Sequence, residues 1–300
     1  MMKIVQSLWS KPGQQNGNAD FSAINKCGWA DRKYNYFSWA LSALQFRKFY
    51  DEVELVTDKA GYKLLIEQLG LPYTSVKVVL DDLNGYHQNL YALGKIYAYG
   101  IQNKPFIHAD GDVYIWEKFD TKLENSSLIG QHKEQGDYYQ LYYEKIYNEM
   151  MSNFSYWPES LEISVAKSNG IVAINAGILG GNNINFFKYY VAKAFEFVDK
   201  NIRSLDKIDV SLSNTVFEQV LFYALSIEKG EAVTCYNPDF VFYWSDITDF
   251  TGIPNKTKYI HAIGALKRDR HVIDALEYRL QADYPTYYDR IMNLVRTNQI

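Results

Sequence analysis

The 300-residue sequence lacks the features that define several large classes of protein. Its two cysteines, Cys27 and Cys235, are far apart and form no CxxC pair, which argues against a disulfide framework or a thiolate metal cluster. No run approaches the roughly 18 apolar residues of a membrane span. Residues 1–12 are too short and too polar for the apolar part of a signal peptide. We therefore expect a cytoplasmic protein, with peripheral membrane association left open.

Positive charge is also scarce. The chain has 31 Lys and Arg against 35 Asp and Glu, a net charge of −4, and no long basic run. Nucleic acids and anionic membrane surfaces need a concentrated cationic face, so neither is expected as the main partner. A phosphate ligand would need positive charge that is supplied locally.

Several nucleotide-binding and hydrolytic motifs are missing. The sequence has no GxGxxG after its first predicted strand, no GxxxxGK[ST], no HExxH and no GxSxG. The sequence therefore lacks the usual signatures of nicotinamide dehydrogenases, P-loop enzymes, zincins and serine hydrolases. If a nucleotide binds, a metal ion is the alternative to a cradle of backbone amides.

The first half of the chain alternates short apolar runs with helical patterns. Strands are predicted at 3–9, 53–57, 76–80, 105–109, 170–175, 232–236, 240–244 and 259–262. Helices are predicted at 35–50, 59–69, 86–101, 138–151, 185–201 and 213–227, with two more after residue 270 that are interrupted at Pro285. Such alternation predicts an α/β protein with a mostly parallel central sheet, helices on both faces and C-terminal helices.

The segment 10–32 directly follows the first predicted strand and is rich in Gly, Asn and Gln. In parallel sheets, ligands bind beyond the carboxyl ends of the strands. A loop of this length is usually functional or disordered, and its position favours a functional loop.

A pair of carboxylates follows the fourth predicted strand. Asp110 and Asp112 flank Gly111 in the only Asp-x-Asp of the chain. Residues i and i+2 of a strand face the same way, so both carboxylates can point off the strand end. Hard oxygen ligands so placed suit an octahedral divalent cation that also takes diphosphate oxygens. The alternative is a pair of solvated turn aspartates.

A second candidate group lies late in the chain, in His261-Ala-Ile-Gly264-Ala-Leu-Lys267. His261 can complete a metal shell, Gly264 allows close approach of the backbone to a phosphate, and Lys267 adds a positive charge. A nitrogen ligand beside two carboxylates favours Mn²⁺, with Mg²⁺ as the alternative. Taken singly, the histidine is equally typical of packing and the lysine of solvated surface.

Two further segments carry amide and carboxylate groups. Asn175 ends a predicted strand and is followed by Gly177, Gly180 and Gly181, which indicates close approach of the backbone to another group. An ordinary strand-to-helix turn explains that segment equally well. Glu218 and Gln219 lie near the start of a predicted helix.

Together and in this order, these four segments resemble the GT-A glycosyltransferases, most closely the family of glycogenin and the bacterial lipopolysaccharide galactosyltransferases. The match runs from Lys3 to about Lys267, and the His-x-x-Gly-x-x-Lys spacing is its most specific part. The resemblance implies a GT-A type, Rossmann-like domain over residues 1–267. Residues 268–300 are expected to be a helical extension that packs on the same domain.

The resemblance also implies roles for the individual residues. The implied metal ligands are Asp110, Asp112 and His261, and the implied diphosphate contacts are Lys267 and Gly264. Asn175 and Gly177 would bind the donor sugar, and Glu218 and Gln219 would act at the anomeric carbon. The chain departs from the family after its first strand, where Trp9 replaces the usual base-binding residues and either stacks on the base or packs in the core.

The expected function is therefore metal-dependent transfer of a sugar, with retained configuration, from a nucleotide diphosphate donor such as a UDP-sugar. The acceptor would be a saccharide or another hydroxyl compound, as in polysaccharide biosynthesis. The sequence has 26 Tyr, and the tyrosine-rich segment 138–156 with Trp157 is a hypothetical acceptor wall. The alternatives are a sugar-nucleotide nucleotidyltransferase and a non-catalytic carbohydrate- or nucleotide-binding protein of the same fold.

Overall fold

A computed structural model describes residues 2–13, 27–239 and 247–300 of the chain. The predicted strand at 240–244 lies outside the described residues, as does most of the loop 10–32.

The described residues alternate strands and helices along the chain. The strands are β1 (Lys3–Leu8), β2 (Val53–Thr57), β3 (Ser75–Val78), β4 (Phe106–Ala109), β5 (Val113–Ile115), β6 (Leu128–Gly130), β7 (Lys133–Glu134), β8 (Ala173–Ile174), β9 (Ile178–Gly181), β10 (Val233–Cys235) and β11 (Tyr259–His261). The helices are α1 (Arg32–Phe49), α2 (Lys59–Tyr62), α3 (Ala92–Gly100), α4 (Thr121–Glu124), α5 (Asp137–Asn153), α6 (Glu159–Ser168), α7 (Ile184–Asn201), α8 (Val210–Thr215), α9 (Leu221–Lys229), α10 (Arg270–Asp283) and α11 (Pro285–Arg296).

Seven strands form one mixed sheet in the order β10-β6-β9-β4-β1-β2-β3. β1 pairs in parallel with β2, as do β2 with β3 and β10 with β6, whereas β6 and β9 are antiparallel. A smaller ladder joins β11 antiparallel to β5. The predicted α/β class with a mostly parallel sheet and C-terminal helices is confirmed.

The prediction of a helix at 86–101 was wrong at its start, because α3 begins only at Ala92. The Asn214 side chain accepts a hydrogen bond from the Ala92 N–H (2.9 Å) and donates one to the Asn89 carbonyl (2.7 Å). A side chain more than a hundred residues away therefore fixes this helix end, and no local pattern reports it.

The Asn175 region also differs from its prediction. The strand expected at 170–175 is reduced to β8, and the glycine segment expected as a turn contains a strand, β9. A Cβ added at Gly180 would lie 2.1 Å from the Phe106 carbonyl oxygen. The predicted close approach of the backbone therefore exists here, and its partner is a neighbouring strand.

The contacts divide the chain into two compact units. Unit 1 contains residues 85–108 and 120–240, and unit 2 contains residues 3–84, 109–119 and 241–300, as far as these are described. Unit 1 has an aromatic core in which Tyr99, Phe106, Phe187 and Phe222 contact one another in sequence. In unit 2, α10 and α11 pack on α1 around one large apolar cluster. The expected boundary at residue 267 stays a prediction.

Within the described ranges, no helix is both long enough and apolar enough to pass through a bilayer.

Candidate functional site

The Asp-x-Asp motif forms the tight connection between β4 and β5. β4 ends at Ala109 and β5 begins at Val113, so residues 110–112 make the turn. A Cβ on Gly111 would lie 2.6 Å from the indole ring of Trp39, which is buried. Glycine is therefore required between the two carboxylates because the turn packs directly on a tryptophan.

Buried polar side chains hold the backbone of this turn. Ser38 Oγ donates to the Gly111 carbonyl and Ser42 Oγ donates to the Val113 carbonyl, both at 2.7 Å. Gln6 Nε2 donates to the Asp110 carbonyl at 3.3 Å. These bonds satisfy buried carbonyl groups and restrict the orientation of the two aspartates, as a preorganised ligand site requires.

The β5–β11 ladder brings His261 to the motif. His261 pairs with Val113, and the Ala262 N–H donates to the Asp112 carbonyl at 3.0 Å. This register places His261 Nε2 3.6 Å from Asp112 Oδ1. Residues about 150 positions apart in sequence thus meet because one short antiparallel pair joins their strands.

Asp110, Asp112 and His261 together offer a metal ligand set. One ligand atom from each lies within 4.8 Å of the other two. An octahedral ion with bonds of about 2.1 Å places opposite ligand atoms about 4.2 Å apart, so small side-chain rotations close the set. Two carboxylates and one imidazole suit Mn²⁺ and accommodate Mg²⁺ less well. The donor set fits a divalent cation.

Lys267 lies beside the same carboxylate. Gly264 has φ +54°, a left-handed conformation that favours glycine, and opens the short 3₁₀ turn that carries the lysine. Lys267 Nζ is 2.6 Å from Asp112 Oδ2. Burial alone would lower the pKa of Lys267, but the acidic groups around it, Asp112 foremost, together raise the pKa, so the lysine is charged.

The described end of the loop 10–32 reaches this cluster. Lys267 Nζ donates to the Cys27 carbonyl at 3.4 Å and lies 5.9 Å from the centre of the Trp29 ring. Arg268 Nε donates to the Gly28 carbonyl at 3.3 Å. The loop expected to be functional therefore contacts the lysine that stands next to the candidate metal ligands.

A second polar cluster lies in unit 1 around Asn175. The Asn175 side chain accepts from the Gly177 N–H at 3.0 Å and donates to Glu134 Oε1 at 2.8 Å. Tyr143 donates to the other oxygen of Glu134 and lies 3.4 Å from Gln219 Oε1. Asn175, Glu134 and Tyr143 are all buried. The structure thus links Asn175 with Gln219 through Glu134, which the sequence did not single out, and through Tyr143 of the tyrosine-rich segment 138–156.

Glu218 has a different environment from Gln219. Both lie in a π-helical turn, Val216–Val220, a local geometry common at functional sites. Glu218 Oε1 is 2.8 Å from Lys95 Nζ and accepts from Tyr99 OH at 3.0 Å, and the carboxylate is buried. Lys95 also donates to the Ala176 carbonyl at 3.1 Å. Glu218 is therefore a paired, buried charge, whereas Gln219 is partly exposed.

Trp9 directly follows β1, at the carboxyl end of the strand. Its ring is buried, and its Nε1 has no hydrogen-bond partner among the residues that the structure describes. The next residue, Ser10, donates through both its N–H and its hydroxyl to Asp58 Oδ2, each at 2.7 Å. The role of Trp9 at a nucleotide base stays a prediction.

One family model matches almost the whole chain. It covers residues 2–294 and is described as a family of unknown function, DUF6734. The chain belongs to this family. No curated protein sequence matches this DUF6734 member.

Solved structures similar to this DUF6734 member include sugar transferases. The galactosyltransferase LgtC, with donor and acceptor sugar analogues bound, is 14% identical, with a TM-score of 0.38 over 72% of this chain and 70% of that chain. An active-site mutant of LgtC gives a TM-score of 0.40 at 14% identity and the same coverage. Mouse xyloside xylosyltransferase 1 gives 0.42 at 12% identity, over 87% of this chain and 96% of that chain.

Sequence reasoning missed several residues of both clusters in this DUF6734 member. In unit 1 these are Glu134 and Lys95, and in unit 2 they are the serines that hold the turn. Glu134 lies in the two-residue strand β7, and Lys95 lies within an amphipathic helix. A lone charged residue in such a place has no local signal, because its partners are far away in the sequence.

Proposed function

We propose that this protein is a metal-dependent glycosyltransferase that moves a sugar from a nucleotide diphosphate donor, in the first instance a UDP-sugar, to a saccharide or other hydroxyl acceptor. One observation carries the proposal. Asp110, Asp112 and His261 offer ligand atoms within 4.8 Å of one another, and the Lys267 ammonium lies beside them. A protein of net charge −4 needs such a local concentration of positive charge to hold a diphosphate.

In this proposal Asp110, Asp112 and His261 hold Mn²⁺, with Mg²⁺ as the alternative. The bound ion would neutralise the charge that grows on the departing diphosphate. Lys267 would move from Asp112 to a phosphate oxygen once the ion takes over that carboxylate. His261 is a neutral imidazole when it ligates a metal, so its ring must not be protonated.

For the donor sugar, we assign binding to Asn175 with Gly177 and the contact with the anomeric carbon to Gln219. Glu218 is less suited to that contact because Lys95 and Tyr99 occupy its carboxylate. We therefore assign Glu218 to shaping the π-helical turn on which Gln219 stands. Retention of configuration remains part of the proposal, as the resemblance of the motifs to the glycogenin and galactosyltransferase family implies.

The acceptor wall is proposed on helix α5. The helix exposes Tyr138, Leu141 and Tyr142, while Tyr143 is buried. Tyrosine rings with exposed faces suit stacking against the CH faces of a sugar. The double replacement of Tyr138 and Tyr142 by Ala should raise the acceptor KM with little change in UDP affinity, and unchanged acceptor kinetics would remove this assignment.

The test is release of UDP from a panel of UDP-sugars with Mn²⁺, with and without acceptors. Asp112→Asn should abolish metal-dependent UDP binding and release while the far-UV spectrum stays near wild type, although the melting temperature should fall because Lys267 loses its partner. Asp274→Asn, which removes an exposed ion pair with Arg270, is the matched control. Full Mn²⁺-dependent affinity in Asp112→Asn would contradict the metal assignment. Pyrophosphate released from UTP and a sugar phosphate would instead favour nucleotidyl transfer.

The location of the protein and its association with membranes stay predictions. We expect the cytoplasm, since both cysteines are unpaired among the described residues.

A further inference from the structure

Three residues of unit 1 form a line from a buried carboxylate to the partly exposed Gln219. Glu134 accepts from Asn175 through one oxygen and from the Tyr143 hydroxyl through the other. His132 Nε2 lies 3.5 Å from the Asn175-facing oxygen. The Tyr143 oxygen in turn lies 3.4 Å from the Gln219 side-chain amide. Only the Gln219 end of this line reaches the surface.

Proton counting decides the direction of the bonds. The Tyr143 hydroxyl has one proton, and a carboxylate has none to donate, so the phenol proton belongs to the bond with Glu134. Burial raises the pKa of Tyr143 well above its ordinary value, and the nearby Glu134 charge raises it further, so the phenol keeps this proton. The phenol oxygen can then only accept from Gln219.

This restriction fixes the Gln219 amide. If Gln219 Oε1 faces the Tyr143 oxygen, two hydrogen-bond acceptors face each other and no bond forms. If Nε2 faces it instead, the amide N–H donates to the Tyr143 oxygen. Rotating the amide by 180° exchanges its oxygen and nitrogen without changing its shape, so hydrogen-bond partners alone determine the orientation. The favoured state therefore has Nε2 on Tyr143 and Oε1 on the opposite side.

We propose that Glu134 and Tyr143 are positioning residues that orient the Gln219 amide, with its nitrogen on the Tyr143 oxygen and its carbonyl oxygen free for the donor sugar. The proposal rests on the proposed function. In sugar transfer the anomeric carbon gains positive charge, and a carbonyl oxygen stabilises that charge whereas an N–H opposes it. The same Glu134 carboxylate also holds the Asn175 amide, so one buried group sets the orientation of two side chains assigned to the sugar.

If the Glu134–Tyr143 hydrogen bond serves only to stabilise the fold, a different result is expected. The bond would stabilise the fold between β7 and α5, and its loss would lower the melting temperature without a specific effect on the chemical step. The orientation proposal predicts a loss confined to kcat that requires Gln219 to be present.

The decisive experiment is a double-mutant cycle of Tyr143→Phe and Gln219→Ala, read as UDP release at saturating donor. Tyr143→Phe should lower kcat about 10- to 100-fold, the usual effect of removing a group that orients a reacting one, with donor KM changed less than about threefold. In the Gln219→Ala background, Tyr143→Phe should have no further effect. Tyr189→Phe removes another phenol–carboxylate bond of unit 1, with Glu228, and is the matched control.

Wild-type kcat in Tyr143→Phe, or an equal loss with and without Gln219, would overturn the proposal. A second measurement does not depend on activity. The Gln219 side-chain NH₂ signal, assigned by its disappearance in Gln219→Ala, should shift in Tyr143→Phe and stay in place in Tyr189→Phe. If wild-type protein releases UDP from no donor but this signal shifts, the proposed function fails and the amide orientation stands; an unchanged signal overturns the orientation.

Discussion

The carboxylate of Asp112 is already paired with a cationic side chain. Lys267 Nζ lies 2.6 Å from Asp112 Oδ2, on a residue that is also a proposed metal ligand. In the proposed function, a divalent ion would displace the ammonium, and the displaced ammonium would become available to the diphosphate. This exchange would couple metal binding to nucleotide binding.

Lys267→Met tests the exchange. Without the competing ammonium, Mn²⁺ alone should bind several-fold more tightly, whereas UDP in the presence of Mn²⁺ should bind about tenfold more weakly because one charge-assisted bond is lost. Isothermal titration measures both affinities. Lys258→Met, which removes a surface pair with Glu117, is the control. Weaker binding of Mn²⁺ alone in Lys267→Met would show that the lysine supports the metal site and does not compete for it.

For single residues, the sequence identified which side chains could belong to the candidate site but not which side chains they contact. Asp110 and Asp112 are separated only by Gly111, so a local sequence pattern identifies them. Lys95 and Glu134 show no such pattern. Lys95 pairs with Glu218 and Glu134 bonds to Asn175, and each partner lies more than 40 positions away in the sequence. A contact between distant residues depends on packing, which no local window of sequence contains.

Among the elements, β9 shows what glycine contributes. Gly180 lies where a Cβ would be 2.1 Å from the Phe106 carbonyl oxygen and 2.7 Å from the Ile107 Cα. Backbone atoms held in a sheet cannot move aside as a flexible side chain can.

Gly180→Ala should therefore destabilise the protein by at least about 3 kcal/mol, the upper range for overpacking, or prevent folding. Gly85→Ala is the matched control, because a Cβ there has no atom within 4 Å, and its effect should stay within about 0.5 kcal/mol. Urea denaturation of both variants measures the difference. Equal stability of the two variants would mean that the strands can separate to admit a methyl group.

The N-terminus of α2 offers a pH test of a second element. Asp58 caps this helix by accepting from the Gly61 N–H at 2.7 Å. Burial raises the pKa of Asp58 above its usual value, although bonds from Gly61 and Ser10 act in the opposite direction. The native state therefore binds this proton more tightly than the unfolded chain does. The free energy of unfolding contributed by this proton is at its maximum below the unfolded pKa, about 3.9. It is lost as the pH rises through the folded pKa.

Asp58→Asn should cost about 1 to 2 kcal/mol, because an amide NH₂ replaces the oxygen that accepts from Ser10, and the loss should be larger near pH 4 than at pH 7. Urea denaturation at both pH values measures it. Asp209→Asn, which changes the exposed cap of α8, is the control for loss of a capping carboxylate. A loss for Asp58→Asn that grows toward pH 7 would reverse the sign and contradict the raised pKa.

Most elements could be predicted from the sequence because their periodicity is local. β2 was predicted with its exact bounds, and α7 and the two C-terminal helices to within one residue or a few at their ends. The missed elements include α6 and β9, and also β5 to β7, which are only two or three residues long. A strand this short has too few residues to show an alternation, and its pairing partner defines it.

The molecule as a whole is acidic, so in the proposed function its affinity for an anionic donor would depend on a bound cation. The net charge of −4 gives no general attraction for a nucleotide diphosphate. Neither ligand alone should therefore stabilise the fold as much as the two together.

UDP with Mn²⁺ should raise the melting temperature by about 5 °C at a hundredfold excess over Kd, which corresponds to about 2.7 kcal/mol of linked stability. UDP with EDTA should give almost no shift, and Asp112→Asn should lose the combined effect. Differential scanning fluorimetry measures these shifts. An equal shift with UDP in EDTA would show that nucleotide binds without a metal.

The sequence by itself determined the α/β class, the Asp110-Gly111-Asp112 turn and the set of candidate ligands, because each depends on neighbours within a few positions. Only the tertiary structure decided that His261 meets Asp112 across the β5–β11 ladder, and that Glu134 and Tyr143 stand between Asn175 and Gln219. These meetings are fixed by strand register and by side-chain packing over long sequence distances, where one residue of slip would turn a ligand to the opposite face.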